Sequence, residues 1–394
     1  MADNLLSFLK ENIVKKNQKN STLSMLTVVI PSYCRQDFII RQCAHWHGSG
    51  ASVIIMDGSP KPLANNMQQT IAELADITYV HSTAIIIDRI KHAATLIKTP
   101  YAVLCGDDEF LLASGLCSAI ALLEQDQDLV ACIGQSLHYY LLNNGSKCSY
   151  GTGYDTYKYE IKHDNVQDRL NASVKSYNAA TCYAVTRTFV WCRSWGNLQR
   201  SSCSYVYELE HAFTTYIWGK LASVDDVYWM RSFENPPAET VDNIRLPIEN
   251  WWASNKFRTE RAHCITKLGE EMICAQQIDR ANAEALAVNV FEIYLRERKR
   301  EFPSNYLFRQ KCRRLVVNVL KKLMPKMWVS YMINLRSQLR PIVTVTGNFG
   351  NLVDLQTMKT PPPFLINDDL VADLSSMEKL IADFYKARSV QLER

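Results

Sequence analysis

The chain has 394 residues, 47% of them hydrophobic and 21% charged, with a formal net charge of +4. That length and apolar fraction suffice for two domains with proper cores, and so small a net charge leaves no electrostatic footprint for a nucleic-acid partner. The twelve cysteines are scattered, with no Cys-x-x-Cys pair, which argues against structural zinc and a disulfide framework and for a reducing cytoplasm.

Residues 1–24 read as a short helix and a polar connector. Leu5, Leu6, Phe8 and Leu9 make too short an apolar stretch for a signal peptide. No run approaches the length of a transmembrane helix, so the expectation is a cytoplasmic protein, peripheral to the membrane at most. Residues 25–30 form a β-branched apolar run, as in a strand buried on both faces, and Pro31 ends it. A helix follows over 37–47. A second buried strand, 51–56, runs into Asp57-Gly58-Ser59-Pro60. Next come a helix over 64–74, a strand over 77–81, and a helix over 85–98 with Ile86, Ile90, Ala93 and Ile97 on one face. The strand over 101–105 ends abruptly in Gly106-Asp107-Asp108-Glu109. A helix over 114–124 and a strand over 129–134 complete the series.

This alternation predicts an α/β fold, a mainly parallel sheet with helices on both faces. In such sheets ligands bind at the carboxyl ends of strands, where Asp57 and Asp107-Asp108 stand. Asp107, Asp108 and Glu109 could hold a hard cation and, through it, a diphosphate. The plainer reading is a solvated acidic turn, or an N-cap whose charges favour the next helix.

Residues 135–176 are rich in tyrosine, serine, glycine and asparagine. They read either as loops that contact flat polar ligands such as sugars or as a meander whose tyrosines pack on the sheet. A strand over 181–187 precedes a helix over 204–218 with an apolar face through Leu209, Phe213 and Ile217. Glu208 and Glu210 lie near its start. His211 either pairs with one of these acids or is a solvated or locally bonded helix residue. A strand over 220–230 ends at Arg231, whose fork of donors could clamp a phosphate or join a surface ion pair.

Pro236-Pro237 marks a domain boundary, dividing the chain into 1–24, 25–240 and a helical region over 241–394. That region predicts helices over 251–268, 279–300, 305–324, 328–339 and 376–388, with Pro361-Pro362-Pro363 as a rigid spacer. Between 305 and 340, lysines and arginines interleave with apolar side chains. A basic amphipathic helix of this kind suits an anionic membrane surface, a cap on the preceding domain, or a homodimer interface.

Three segments carry a resemblance. Val28-Val29-Ile30-Pro31-Ser32-Tyr33-Cys34-Arg35 is similar to the opening strand of GT-A-fold (Rossmann-like) inverting glycosyltransferases, with Cys34 in place of the usual asparagine. Val53-Ile54-Ile55-Met56-Asp57-Gly58-Ser59 is similar to that family's second strand, and Tyr101 to Glu109 to its DXD metal segment. Their order and spacing agree over residues 25–135, more weakly to 235. The resemblance is to the inverting family that includes many bacterial polysaccharide transferases, and it implies a setting in capsule or lipopolysaccharide synthesis. The resemblance implies a nucleotide-sugar donor and a glycan or lipid-linked acceptor. Pro31, Tyr33 and Arg35 would line the nucleotide pocket, Asp57 would bond the base, and Arg89 or Lys91 would reach the nucleotide or diphosphate. Asp107 would approach the ribose, and Asp108 would bind Mn2+ or Mg2+. Gly106 stands where the commonest pattern has another acid, and Glu109 is the residue that could compensate.

Inverting transfer needs a carboxylate to take the acceptor's proton. The family places it in a Glu-Asp pair at a helix start, and the counterpart here is Glu208-Leu209-Glu210. Some 200° of helical rotation separates the two glutamates, so only one can face the cleft. Glu208 is the first choice and Glu210 the second, against an ordinary acidic first turn. Two other readings remain: a non-catalytic scaffold that keeps the fold, and a sugar nucleotidyltransferase, whose glycine-rich phosphate loop is missing after the first strand.

Overall fold

The computed structural model describes residues 2–13, 20–235, 246–276, 278–301, 348–356 and 364–389. In chain order these form α1 (Ala2–Ile13), β1 (Leu26–Ser32), α2 (Gln36–Trp46), β2 (Ser52–Asp57), α3 (Asn65–Ala72), β3 (Ile77–His81), α4 (Ile86–Leu96), β4 (Tyr101–Leu104), β5 (Phe110–Leu111), α5 (Ala113–Gln125), β6 (Leu129–Leu142) and β7 (Lys147–Thr152). There follow α6 (Val166–Lys175), β8 (Val185–Arg187), α7 (Thr188–Ser194), α8 (Ser204–Trp218), β9 (Lys220–Ser232), α9 (Ile248–Ala253), α10 (Arg258–Gln276), α11 (Arg280–Glu301), β10 (Asn348–Gly350), α12 (Leu352–Gln356) and α13 (Asp368–Ser389).

The expected alternation produces four parallel strands in the order β3-β2-β1-β4. The chain steps from β1 to β2 in one direction and later returns to place β4 on the other side of β1. That reversal opens a crevice at the carboxyl ends of β1 and β4. Beyond β4 the sheet continues antiparallel through β8 and β6 to β7 and β10, and β9 lies along β6 and also pairs β5.

Alternate residues of β1 explain its unbroken apolar run. Val28 and Ile30 enter a core that extends from Leu5 to Phe384. Val29 enters a second core on the opposite face, with Ile54, Ile90, Trp191 and Trp195. A strand covered on both faces needs apolar side chains in both phases.

The two ends of the described chain close over the first face. Phe8 of α1 and Phe38 of α2 both meet the Phe384 ring of α13, at centroid distances of 5.8 and 5.5 Å. In the same core α11 packs on α8 through Phe213 and Phe291, 5.4 Å apart.

Several elements differ from expectation. β6 runs on to Leu142 and forms a hairpin with β7, so the tyrosine-rich stretch is partly sheet, and it also contains α6. The helix expected over 251–268 is broken at Ser254, whose side chain accepts from the Lys256 amide and caps a short 3-10 turn. α13 begins at Asp368, eight residues before the expected 376. The Pro236-Pro237 boundary, the helices expected over 305–324 and 328–339, the basic stretch 305–340 and the proline triplet lie outside the described residues. Among the described residues no helix is long and apolar enough to cross a membrane.

His211 departs from the solvated role considered for it. It is fully buried in α8, stacked on Trp195 at 4.3 Å, with Nε2 3.4 Å from the Thr181 carbonyl. Burial pushes its pKa down to about 3, so the imidazole is neutral. A depressed histidine contributes stability that is complete above about pH 6.5 and is lost as pH falls toward 3. Replacing His211 by glutamine should therefore flatten the fall of Tm between pH 7 and pH 4. An unchanged slope would place the acid sensitivity elsewhere.

Candidate functional site

The crevice between β1 and β4 gathers the expected acids. Gly106-Asp107-Asp108-Glu109 leaves β4 as a tight turn, with the Glu109 amide donating to the Gly106 carbonyl at 3.2 Å. The turn is held from below by its backbone. Gln42 donates to the carbonyls of Asp107 and Glu109 at 3.0 and 2.6 Å. Arg41 and Tyr139 both donate to the Asp108 carbonyl, at 3.0 and 2.6 Å. His45 lies 3.1 Å from the Leu111 carbonyl. A turn whose carbonyls are fixed this way presents its side chains in one geometry.

Two of the three acids face the crevice together. Asp107 accepts from Ser32 Oγ at 2.7 Å and from Arg35 Nη1 at 3.1 Å. The same Arg35 nitrogen lies 3.2 Å from Asp108 Oδ2, which also accepts from Asn235 Nδ2 at 2.9 Å. Burial, and then the neighbouring Asp108, push Asp107 up to about 6, although Arg35 and Ser32 oppose the shift. Glu109 turns the other way. It is buried against Trp229, accepts from its indole nitrogen at 3.0 Å, and is pushed up to about 7 mainly by burial. Gly106 permits this turn: a Cβ there would lie 2.9 Å from Glu109 Oε2.

Among the described residues no three His, Cys, Asp or Glu side chains gather to form a metal cage. The donor chemistry at the crevice is nevertheless of the right kind. One oxygen from each of Asp107 and Asp108 converges on a single cationic nitrogen. Mg2+ and Mn2+ prefer hard oxygen ligands, and Mg2+ is commonly bound through one or two carboxylates plus substrate phosphates. The pair therefore fits such an ion, with Glu109 outside the set.

The other expected donor-side residues have separate roles in the structure. Asp57 is completely buried and its carboxylate is engaged by Ser59 N, Gln36 Nε2 and Tyr79 OH, each at 2.8 Å. It organises the turn after β2. Arg89 donates to the carbonyls of Ser32 and Met56, where β1 and β2 end, and to Ala84. Its guanidinium lies so close beneath Gly58 that a Cβ there would meet it at 2.4 Å. Lys91 faces α8, near enough to Glu210 for its charge to oppose that acid's raised pKa. Pro31 is half-buried and Tyr33 is exposed at the rim. Cys34, in the place where the resembling family has asparagine, takes a left-handed φ of 56°, a conformation that asparagine tolerates better than most residues.

The two glutamates of α8 part as helix geometry requires. Glu210 is 1% exposed and ion-paired with the buried Lys267 of α10. It ties two helices together. Glu208 is half-buried on the other side. Burial raises the Tyr154 hydroxyl, Arg231 opposes that shift, and the charge of Glu208 adds to it. Tyr154 accepts from Arg231 Nη1 at 2.9 Å and stacks on Trp229 at 5.4 Å, and Trp229 in turn holds Glu109. Tyr154, Arg231 and Trp229 thus join the acidic turn in one continuous aromatic face, and Glu208 is near enough for its charge to act on Tyr154.

Sequence reading missed Ser32, Arg41, Gln42, Tyr139, Glu234 and Asn235. Arg41 is fully buried, with Nη1 2.9 Å from both Glu234 oxygens. Tyr385 also donates to Glu234, and the Tyr139 hydroxyl shares its one proton between Glu234 and the Asp108 carbonyl. The polar run 232–235 was the only visible sign of this network.

No family model matches the chain, and no curated protein matches it. Similar solved structures are those of S. aureus TarS 1-349, alone, with UDP and with UDP-GlcNAc. They are 9%, 10% and 9% identical to this chain, with TM-scores of 0.46, 0.43 and 0.45. Each alignment covers 94% of this chain and 92% of TarS 1-349.

Proposed function

We propose that the chain is a glycosyltransferase that moves a sugar from a nucleoside-diphosphate donor to a glycan or lipid-linked acceptor. The observation that carries this reading is the convergence of Asp107 and Asp108 with Arg35 at the crevice where the strand order reverses. The three sequence segments that resemble GT-A transferases supply exactly those elements of the crevice in order, β1, β2 and the acidic turn.

In this reading Arg35 and the rim residues Pro31 and Tyr33 receive the nucleotide. Asp107 and Asp108 would hold a divalent ion, which would supply charge neutralisation for the departing diphosphate. Glu208 accepts the proton of the acceptor hydroxyl as its oxygen attacks the anomeric carbon. The bond from that carbon to the diphosphate breaks on the opposite side, so configuration inverts. Arg231 and Tyr154 lie on the acceptor side and orient the hydroxyl toward Glu208. The resemblance further favours a role in bacterial surface polysaccharide synthesis.

The test is thermal stability with UDP, GDP, CMP and dTDP, each with and without Mn2+. A ligand at a hundred times its Kd adds about 2.7 kcal/mol to native stability. One nucleotide should raise Tm only when metal is present, and Asp108→Ala should abolish the shift. If no nucleotide shifts Tm and no transfer occurs, the scaffold reading takes over.

A further inference from the structure

The feature of the crevice that the proposed chemistry does not yet use is that its two carboxylates already hold a cation of the protein's own. Arg35 Nη1 stands 3.1 Å from Asp107 Oδ1 and 3.2 Å from Asp108 Oδ2. A divalent ion binding both carboxylates must lie about 2.0–2.1 Å from each oxygen if it is Mg2+. It would then occupy the space between these oxygens and their common guanidinium partner. Two cations cannot share that space at such separations without strong repulsion.

We infer that Arg35 is a tethered counter-cation for the Asp107–Asp108 pair, and that a divalent ion must displace it to bind. This inference rests on the reading of the pair as a metal site. Everything else around the carboxylates is fixed. Ser32 holds Asp107, Asn235 holds Asp108, and Gln42, Arg41 and Tyr139 hold the carbonyls of the turn. Arg35 is the one ionic partner on a long side chain at the edge of the crevice, 19% exposed, and it sits at the N-cap of α2. It is the part that can move.

The planar fork of the displaced guanidinium matches a phosphate. A nucleoside diphosphate is the ligand that supplies one at this crevice. Metal and diphosphate binding are therefore coupled. The ion alone must break the Arg35 contacts without compensation. The diphosphate alone draws Arg35 away and leaves the buried Asp107 and the half-buried Asp108 without a cation. Together each ligand removes the penalty of the other, which is positive linkage between two sites. The same arrangement keeps the free protein from holding metal when no donor is present.

The experiment is Mn2+ binding to the full chain, without nucleotide, followed by the electron paramagnetic resonance signal of free Mn2+. Wild type, Arg35→Gln, Arg35→Lys and Asp108→Asn are compared, each first checked for a cooperative thermal transition. Arg35→Gln should bind Mn2+ about tenfold more tightly than wild type, within the usual range of coupling between sites. Arg35→Lys keeps the charge and should stay near the wild-type value, and Asp108→Asn should lose binding. Equal or weaker binding by Arg35→Gln, with Asp108→Asn still losing it, would overturn the counter-cation role and leave the metal site standing. If wild type and Arg35→Gln both fail to bind, or if Asp108→Asn binds as wild type does, the metal site itself falls and the inference falls with it. A nucleoside diphosphate should then tighten Mn2+ binding to wild type more than to Arg35→Gln. Equal tightening of both would overturn the coupling.

Discussion

Replacing Glu208 by glutamine should lower sugar transfer about 10²- to 10⁴-fold, the usual contribution of a general base, while leaving the nucleotide-dependent rise in Tm unchanged. Glutamine keeps the size of the side chain and removes its ability to take a proton. Glu208 is half-buried and close enough for its charge to act on the Tyr154 hydroxyl, and in the proposed reading other residues hold Asp107 and Asp108, so its loss should affect turnover and not donor binding. The companion variant is Glu210→Gln. Glu210 is buried and paired with Lys267, and removing one partner of a buried ion pair leaves the other charge uncompensated. Glu210→Gln should therefore lower Tm more than it lowers the turnover of folded protein. If Glu210→Gln stops transfer at unchanged Tm while Glu208→Gln stays active, the two roles are exchanged.

Arg41→Ala should be the most destabilising single substitution near the crevice. Arg41 is fully buried, pairs with both oxygens of Glu234, donates to the Asp108 carbonyl, and lies over the rings of Phe38, Phe110 and Phe384 at 4.5, 4.8 and 5.1 Å. Its removal strands the Glu234 carboxylate among Tyr139 and Tyr385. Breaking such a pair costs about 3–5 kcal/mol, roughly a 10 °C fall in Tm for a domain of this size. The same change removes one of the two donors to the Asp108 carbonyl, so the nucleotide- and Mn2+-dependent shift should weaken as well. Tyr385→Phe removes only one hydrogen bond to Glu234 and should cost about 1 kcal/mol. A Tm for Arg41→Ala within 2 °C of wild type would show that α13 and α2 hold the acidic turn without this pair.

The network explains why the carboxyl-terminal helix belongs to the site. Tyr385 of α13 reaches Glu234, and Arg388 pairs with Asp37 of α2 at 2.7 Å. The segment that follows β9 carries Glu234 and Asn235 and thereby ties the acidic turn to α13. A chain end with no chemistry of its own thus helps to fix the position of Asp108.

What the sequence by itself determined is the first half of the sheet and the place of the crevice. β1, β2 and β4 were legible because strands buried on both faces must be apolar in both phases, and because proline, glycine and aspartate stop them sharply. The acids at the ends of β2 and β4 were legible for the same reason. The split between Glu208 and Glu210 follows from helical rotation alone, but which face is buried was decided by Lys267, 57 residues away. β6 was cut short in the reading because His138 and the tyrosines beside it do not look like a core strand. In the structure its alternate residues meet different environments, Tyr139 the buried Arg41–Glu234 pair and His138 the aromatic face of Tyr154 and Phe233.

Only the tertiary structure decided which acids act together. Asp108 is held by Asn235, 127 residues later, and Arg41 by Glu234, 193 residues later. Glu109 left the pair because the indole of Trp229 and the bare backbone of Gly106 offered it a buried place. Such contacts depend on the distance between chain segments in space. Local patterns of hydrophobicity record which residues face a core, and they carry no record of which distant side chain will stand opposite.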